Sequence, residues 1–112
     1  MREHILQIIV WHCCFDMAKH GIVRSRGNGY EWLASGRLFS FFVWYLTRKA
    51  EEGGLNLTRG GQNLNYKAVC KVVSIKAIDR AAIQEFEGGY RPKNADTIKS
   101  IVKNYLQTII RI

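Results

Sequence analysis

A chain of 112 residues, 47% hydrophobic and 23% charged, has the size and balance of one compact domain over 1–112, too apolar for wholesale disorder and too short for a second independent core. Seventeen Lys and Arg against nine Asp and Glu give a formal charge of +8, which favours polyanionic partners: nucleic acid first, then anionic membranes or acidic protein patches. Cys13, Cys14 and Cys70 are odd in number and two are adjacent, which argues against a disulfide framework and for a reducing, cytoplasmic or nucleoid-associated setting with the thiols as packing residues. The N-terminus lacks a signal-peptide pattern, and the most apolar run, 38–46, is too short to span a bilayer, so no membrane partner is expected.

From Arg2 to about Lys19, the residues Ile5, Ile8, Ile9, His12, Cys13 and Phe15 recur at helical spacing, and Trp11 and Ala18 widen the apolar surface beyond one stripe. Such breadth suits either a central helix or a subunit interface. His20-Gly21 ends this helix, and a Gly27-Asn28-Gly29 turn then predicts a small β-hairpin over about 22–33. In that hairpin Arg24 and Arg26 share one face and Tyr30 and Trp32 another; the arginines form either a candidate wing for nucleic acid or a solvated turn.

Ser35 is placed to cap a helix running to about Glu52, with Leu38, Phe41, Phe42, Tyr45 and Leu46 on its core face. Phe39, Val43 and Trp44 lie off that face, so this helix also reads as enclosed. Residues 55–65 form a polar, glycine-bearing connection, after which Asn65 is expected to cap a helix over about 66–75. There Val69, Val72 and Val73 form the buried stripe, and Lys67, Lys71 and Lys76 line the other side as candidate phosphate contacts.

Asp79 can cap a short helix over 80–87 that stops at Gly88-Gly89. A loop with Tyr90, Arg91 and Pro92 leads to a last helix, capped by Asn94 or Asp96, whose Ile98, Ile101, Val102, Tyr105 and Leu106 fall at helical spacing. His12, Cys13, Cys14 and Asp16, with His4 and His20 on the same helix, are the nearest approach to a reactive or metal-binding constellation. Adjacent cysteines diverge by about 100° on a helix, and no second ligand cluster accompanies them, so no metal, cofactor or catalytic residue is assigned and an enzyme is not expected.

The order Ile83, Phe86, Glu87, Gly89, Arg91, Pro92, Thr97, Ile98, Ile101 and Leu106 resembles the Cro and phage-repressor type of helix-turn-helix, over about residues 66–106. Aligned without a gap, Val72-Val73 fall on the family's second helix, Ala77 at its turn glycine, and Ile78-Asp79 at its hydrophobic residue and cap. Val73 is bulkier than the family's usual alanine, Ala77 lacks glycine's freedom, and Pro92 sits one residue early. The resemblance implies a mainly α domain in which the helix after the turn enters the major groove of double-stranded DNA, as in a small transcriptional regulator of prokaryotic or phage kind, with a homodimer as the usual form. In this register Arg80, Ala81 and Gln84 would touch bases, while Lys67, Lys71, Lys76, Arg91 and Lys93 would touch phosphates.

Glu85 conflicts with that reading unless it accepts from cytosine or pairs with a nearby arginine, and Glu87 is expected to hold the loop backbone or Arg91. A solvated Arg80 beside Asp79 or Glu85 is the plain alternative for that residue. The rival function is a basic protein-interaction module, or phage-encoded inhibitor, that covers an acidic protein partner.

Overall fold

A computed structural model describes residues 2–53, 62–76 and 82–110. In chain order these form α1 (Arg2–Ala18), β1 (Val23–Arg26), β2 (Gly29–Trp32), α2 (Gly36–Glu52), α3 (Gln62–Cys70), β3 (Val73–Ser74), α4 (Ala82–Glu87) and α5 (Ala95–Ile110). The fold is mainly α with one small sheet of order β1-β2-β3. Buried side chains from every helix and from the sheet join one apolar cluster, in which α1 packs on α3, α5 and β1, and α2 packs on α3, α4 and α5.

The second helix is the centre of that cluster. Ser35 accepts a hydrogen bond from the Leu38 backbone N–H at 3.2 Å, supplying the expected N-cap. Every residue from Leu38 to Thr47 is then buried, because the core-face residues and the off-face Phe39, Val43 and Trp44 all meet neighbours. Each buried phenylalanine of this run contributes roughly 1.5–3 kcal/mol relative to exposure. Thr47, a hydroxyl inside this apolar stretch, donates to the Val43 carbonyl at 2.8 Å.

Helix α1 ends as its glycine requires: Gly21 takes φ 74°, and the Ile22 N–H reaches back to the Met17 carbonyl at 3.1 Å, with both side chains buried beneath the turn. The apolar stripe read from its spacing differs from the one it buries. Leu6, Ile9, Val10, Cys13, Cys14 and Met17 face the core, whereas Ile5, Ile8, Trp11 and Phe15 are exposed. A helix apolar around most of its circumference offers no polar side to orient it, so tertiary packing chooses the face.

The hairpin forms over the expected stretch, pairing Val23 with Trp32 and Arg26 with Gly29. Trp32 is buried and Tyr30 half-buried, so the return strand sends its aromatics toward the core. The third strand was not expected. Helix α3 begins at Gln62, which puts Asn65 inside it rather than at its cap, and it stops at Cys70 instead of continuing through 75. Lys71 and Val72 turn back to the Ala68 and Val69 carbonyls at 3.2 and 3.0 Å, and Val73 then pairs parallel with Tyr30. The β-branched run Val72, Val73, Ile75 favours this pleated arrangement over helix. Gly29 permits it: a Cβ there would lie 2.4 Å from the Val72 carbonyl oxygen.

The Cys70 thiol is exposed, unlike Cys13 and Cys14, which are buried as packing residues. Burial pushes the Cys13 thiol up to about 12, with the Asp16 carboxylate adding to it, and burial raises Cys14 in the same direction. Among the described residues no group of His, Cys, Asp and Glu could hold a metal ion, and no helix is long and apolar enough to cross a membrane.

Candidate nucleic-acid interface

Helix α4 is only six residues long, so its position depends on what it rests against. Phe86 supplies the anchor. Its ring is fully buried, meeting Phe41 edge-on at 5.4 Å and Trp44 at 5.7 Å, while Tyr90 stacks on its outer side at 6.3 Å. The helix ends as its double glycine predicts: Gly89 takes φ 103°, and the Tyr90 N–H returns to the Glu85 carbonyl at 2.9 Å.

Both carboxylates of α4 are engaged by α2. Glu85 pairs with Arg37 at 3.1 Å, one of the two conditions under which it can sit beside a polyanion. Glu87 accepts from the Trp44 indole Nε1–H at 2.9 Å and from Arg48 at 3.2 Å. It therefore ties α4 to α2, where the loop backbone or Arg91 was the expected partner. Arg91 instead donates to the Phe86 and Tyr90 carbonyls at 3.0 and 2.8 Å, and its guanidinium lies 5.2 Å from the Trp44 ring centre. It caps the helix end that the chain leaves behind.

Of the expected base contacts, Gln84 is exposed on α4, while Arg80 and Ala81 lie outside the described residues, as does the proposed cap Asp79. The expected phosphate contacts Lys67, Lys71, Lys76, Arg91 and Lys93 are all exposed, but they do not form one row. With α3 ending at Cys70, Lys71 falls in a turn beside Trp11, His12 and Asn28, and Lys76 lies beyond β3 near Arg26 and Glu31. The positions that the resemblance gives to a helix at Val72-Val73 are likewise a turn and a strand. The β-branched pairing described above overrides the helical spacing.

The wing arginines converge on a carboxylate. Glu31, opposite Arg24 in the hairpin, accepts from its Nε at 2.6 Å and faces Arg26 at 3.4 Å. The hydrogen bond from Arg24, reinforced by the charges of Arg24, Arg26 and Lys76 against some loss of hydration, holds the Glu31 carboxyl below its ordinary range. Three cations around one carboxylate leave this edge of the sheet positive.

A second cationic group escaped the sequence reading. Between α2 and α5 lies a cleft of about 330 Å³ whose lining includes Arg48, Lys49, Arg91, Lys99 and Lys103 against Glu52 and Glu87. Lys99 and Lys103 are one turn apart on α5, a spacing visible in the sequence, but their proximity to Arg91 and to the end of α2 arises only from the packing of α2 on α5. No protein-family model, curated protein or solved structure matches this chain.

Proposed function

We propose that this protein binds double-stranded DNA as a small cytoplasmic or nucleoid-associated regulator, with α4 offered to the major groove. One observation carries the reading: α4 leaves Gln84 exposed while both of its carboxylates are engaged by α2, Glu85 through Arg37 and Glu87 through Arg48 and Trp44. The two acidic groups that would otherwise repel phosphates are thus partly neutralised, and a glutamine is the side chain suited to adenine. The formal charge of +8 and the Arg24, Arg26 and Lys76 edge supply attraction that does not depend on base sequence.

The test contrasts two substitutions in a binding assay on randomised duplexes. Gln84→Ala is expected to relax preference at one base-pair position, and Lys71→Ala to weaken all sequences alike and reduce the salt dependence by about one phosphate contact. Equal, uniform losses from both would remove α4 as the reading element.

A second reading, a protein-interaction module, is favoured by the stripe Ile5, Ile8, Trp11 and Phe15, which α1 turns to solvent with Phe15 59% exposed. An acidic protein partner and the second copy of a two-fold DNA reader would both use such a face. Capture from a lysate before and after nuclease treatment separates them, because a direct protein partner survives digestion, and sedimentation of the pure protein reports self-association.

A further inference from the structure

The cleft between α2 and α5 is built differently from the α4 surface. Its two carboxylates already have partners: Glu87 holds Arg48 and the Trp44 indole, and Glu52 receives Lys49 at 3.1 Å. Arg91, Lys99 and Lys103 line the same cleft without an ion pair among the described residues. Lys99 and Lys103 stand four residues apart on one face of α5, an arrangement of like charges that repel and that a bound anion would relieve. Two ammonium groups lie over the ring of Tyr45, Lys49 at 5.6 Å and Lys99 at 6.0 Å from its centre. Its hydroxyl, on a side chain only 5% exposed, has no hydrogen-bond partner among the described residues. Burial, with the nearby Glu52 charge, raises that hydroxyl's pKa, so it remains protonated and able to donate.

We propose that this cleft is a phosphate-binding site, in which Lys99, Lys103 and the donors that Arg91 does not spend on backbone carbonyls receive the oxygens of a phosphate-bearing ligand. The volume, about 330 Å³, is at the low end for a ligand cleft and suits one or a few phosphate groups. The aromatic walls, Trp44 at 5% and Tyr45 at 5% exposed, are covered by cations and offer no open ring for a base to stack on. The site therefore recognises charge and phosphate oxygens. Those oxygens come either from the backbone of the duplex or from a free oligophosphate; the inference rests on the DNA reading only for that choice of source.

The experiment titrates the full chain with sodium tripolyphosphate and follows the Trp44 indole N–H signal and the Lys99 and Lys103 side-chain signals by NMR. The expected result is saturable movement of these signals, weakened at least tenfold in the Lys99→Gln/Lys103→Gln double variant and retained in Lys99→Arg/Lys103→Arg. Lys19→Gln, an exposed lysine beyond α1 that pairs with Asp16 and does not line the cleft, should leave it unchanged. Shifts spread evenly over the surface lysines, or binding indifferent to the glutamine pair, would overturn the proposal whether or not the protein binds DNA. In a parallel arm with duplex DNA, the glutamine pair should lower the slope of log affinity against log salt by about 1.8, two contacts of about 0.9 each, if the backbone is the source. An unchanged slope beside lost tripolyphosphate binding assigns the site to a free phosphate compound.

Discussion

The Trp44 indole donates its Nε1–H to Glu87 across 43 residues of chain at 2.9 Å, and the same carboxylate meets Arg48. One side chain thus fixes the six-residue α4 to α2, whose residues 38–47 are all buried. Glu87→Ala leaves the part-buried indole N–H without an acceptor and should cost about 1–3 kcal/mol of unfolding free energy. Glu87→Gln keeps an acceptor and surrenders only an exposed ion pair, so its cost should stay below about 1 kcal/mol. Urea unfolding of the two variants checks the difference; equal losses would mean that the ion pair, and not the indole, secures α4.

Gly29 is required by space. A methyl group there would stand 2.4 Å from the Val72 carbonyl oxygen, which also accepts the Tyr30 N–H at 2.9 Å, so backbone must move to admit it. Gly29→Ala should destabilise by about 1–3 kcal/mol and lower the melting temperature by several degrees. Gly27→Ala, with nothing within 4 Å but a φ of 57°, gives a comparison in which the cost is conformational alone. Calorimetry of the pair measures both; a neutral Gly29→Ala would show that β3 does not lie against β2.

The sequence made α2 and the hairpin legible because they carry their own punctuation, Ser35 before α2 and Gly21 and Gly27-Asn28 around the hairpin, while α5 was legible from the helical spacing of Ile98, Ile101, Val102, Tyr105 and Leu106. The end of α3 was not legible, since Val69, Val72 and Val73 satisfy helical spacing and strand propensity equally, and the deciding partner, Tyr30, is 43 residues away from Val73. The buried face of α1 failed for a related reason, its apolar residues surrounding the axis. At the site, Glu85 and Glu87 were visible as acidic residues on a presumed reading helix, yet Arg37 and Arg48, which engage them, lie on α2, 48 and 39 residues away in the chain. Long-range pairing of this kind leaves no periodic trace.

Glu31 gives the hairpin a pH dependence with a definite sign. Its folded carboxyl lies below the ordinary glutamate range of about 4.3, held there first by the Arg24 hydrogen bond and then by the Arg24, Arg26 and Lys76 charges. Its contribution to stability is therefore complete above the unfolded value and disappears as pH falls through the depressed folded value. Carbon-13 NMR of the carboxyl should show the low midpoint, moving upward in Arg24→Ala. The stability difference between the parent and Glu31→Gln should vanish at acid pH; a difference that grows on acidification would contradict the pairing.

Thiol chemistry distinguishes the three cysteines. Cys70 is exposed, whereas Cys13 and Cys14 are buried, with burial raising both and Cys13 reaching about 12. A disulfide reagent should modify Cys70 quickly in the native protein and reach the other two only in denaturant. Rapid native reaction of all three would mean that the α1 face chosen by the core is open.

A DNA reader of this charge must bind duplex in a salt-sensitive way. Fluorescence anisotropy of a labelled duplex between 50 and 200 mM salt should show affinity falling by roughly a hundredfold if about four phosphates are neutralised, with Gln84→Ala changing base preference on top of that fall. No duplex binding at the lower salt, or binding that does not respond to salt, would rule out DNA recognition by this protein.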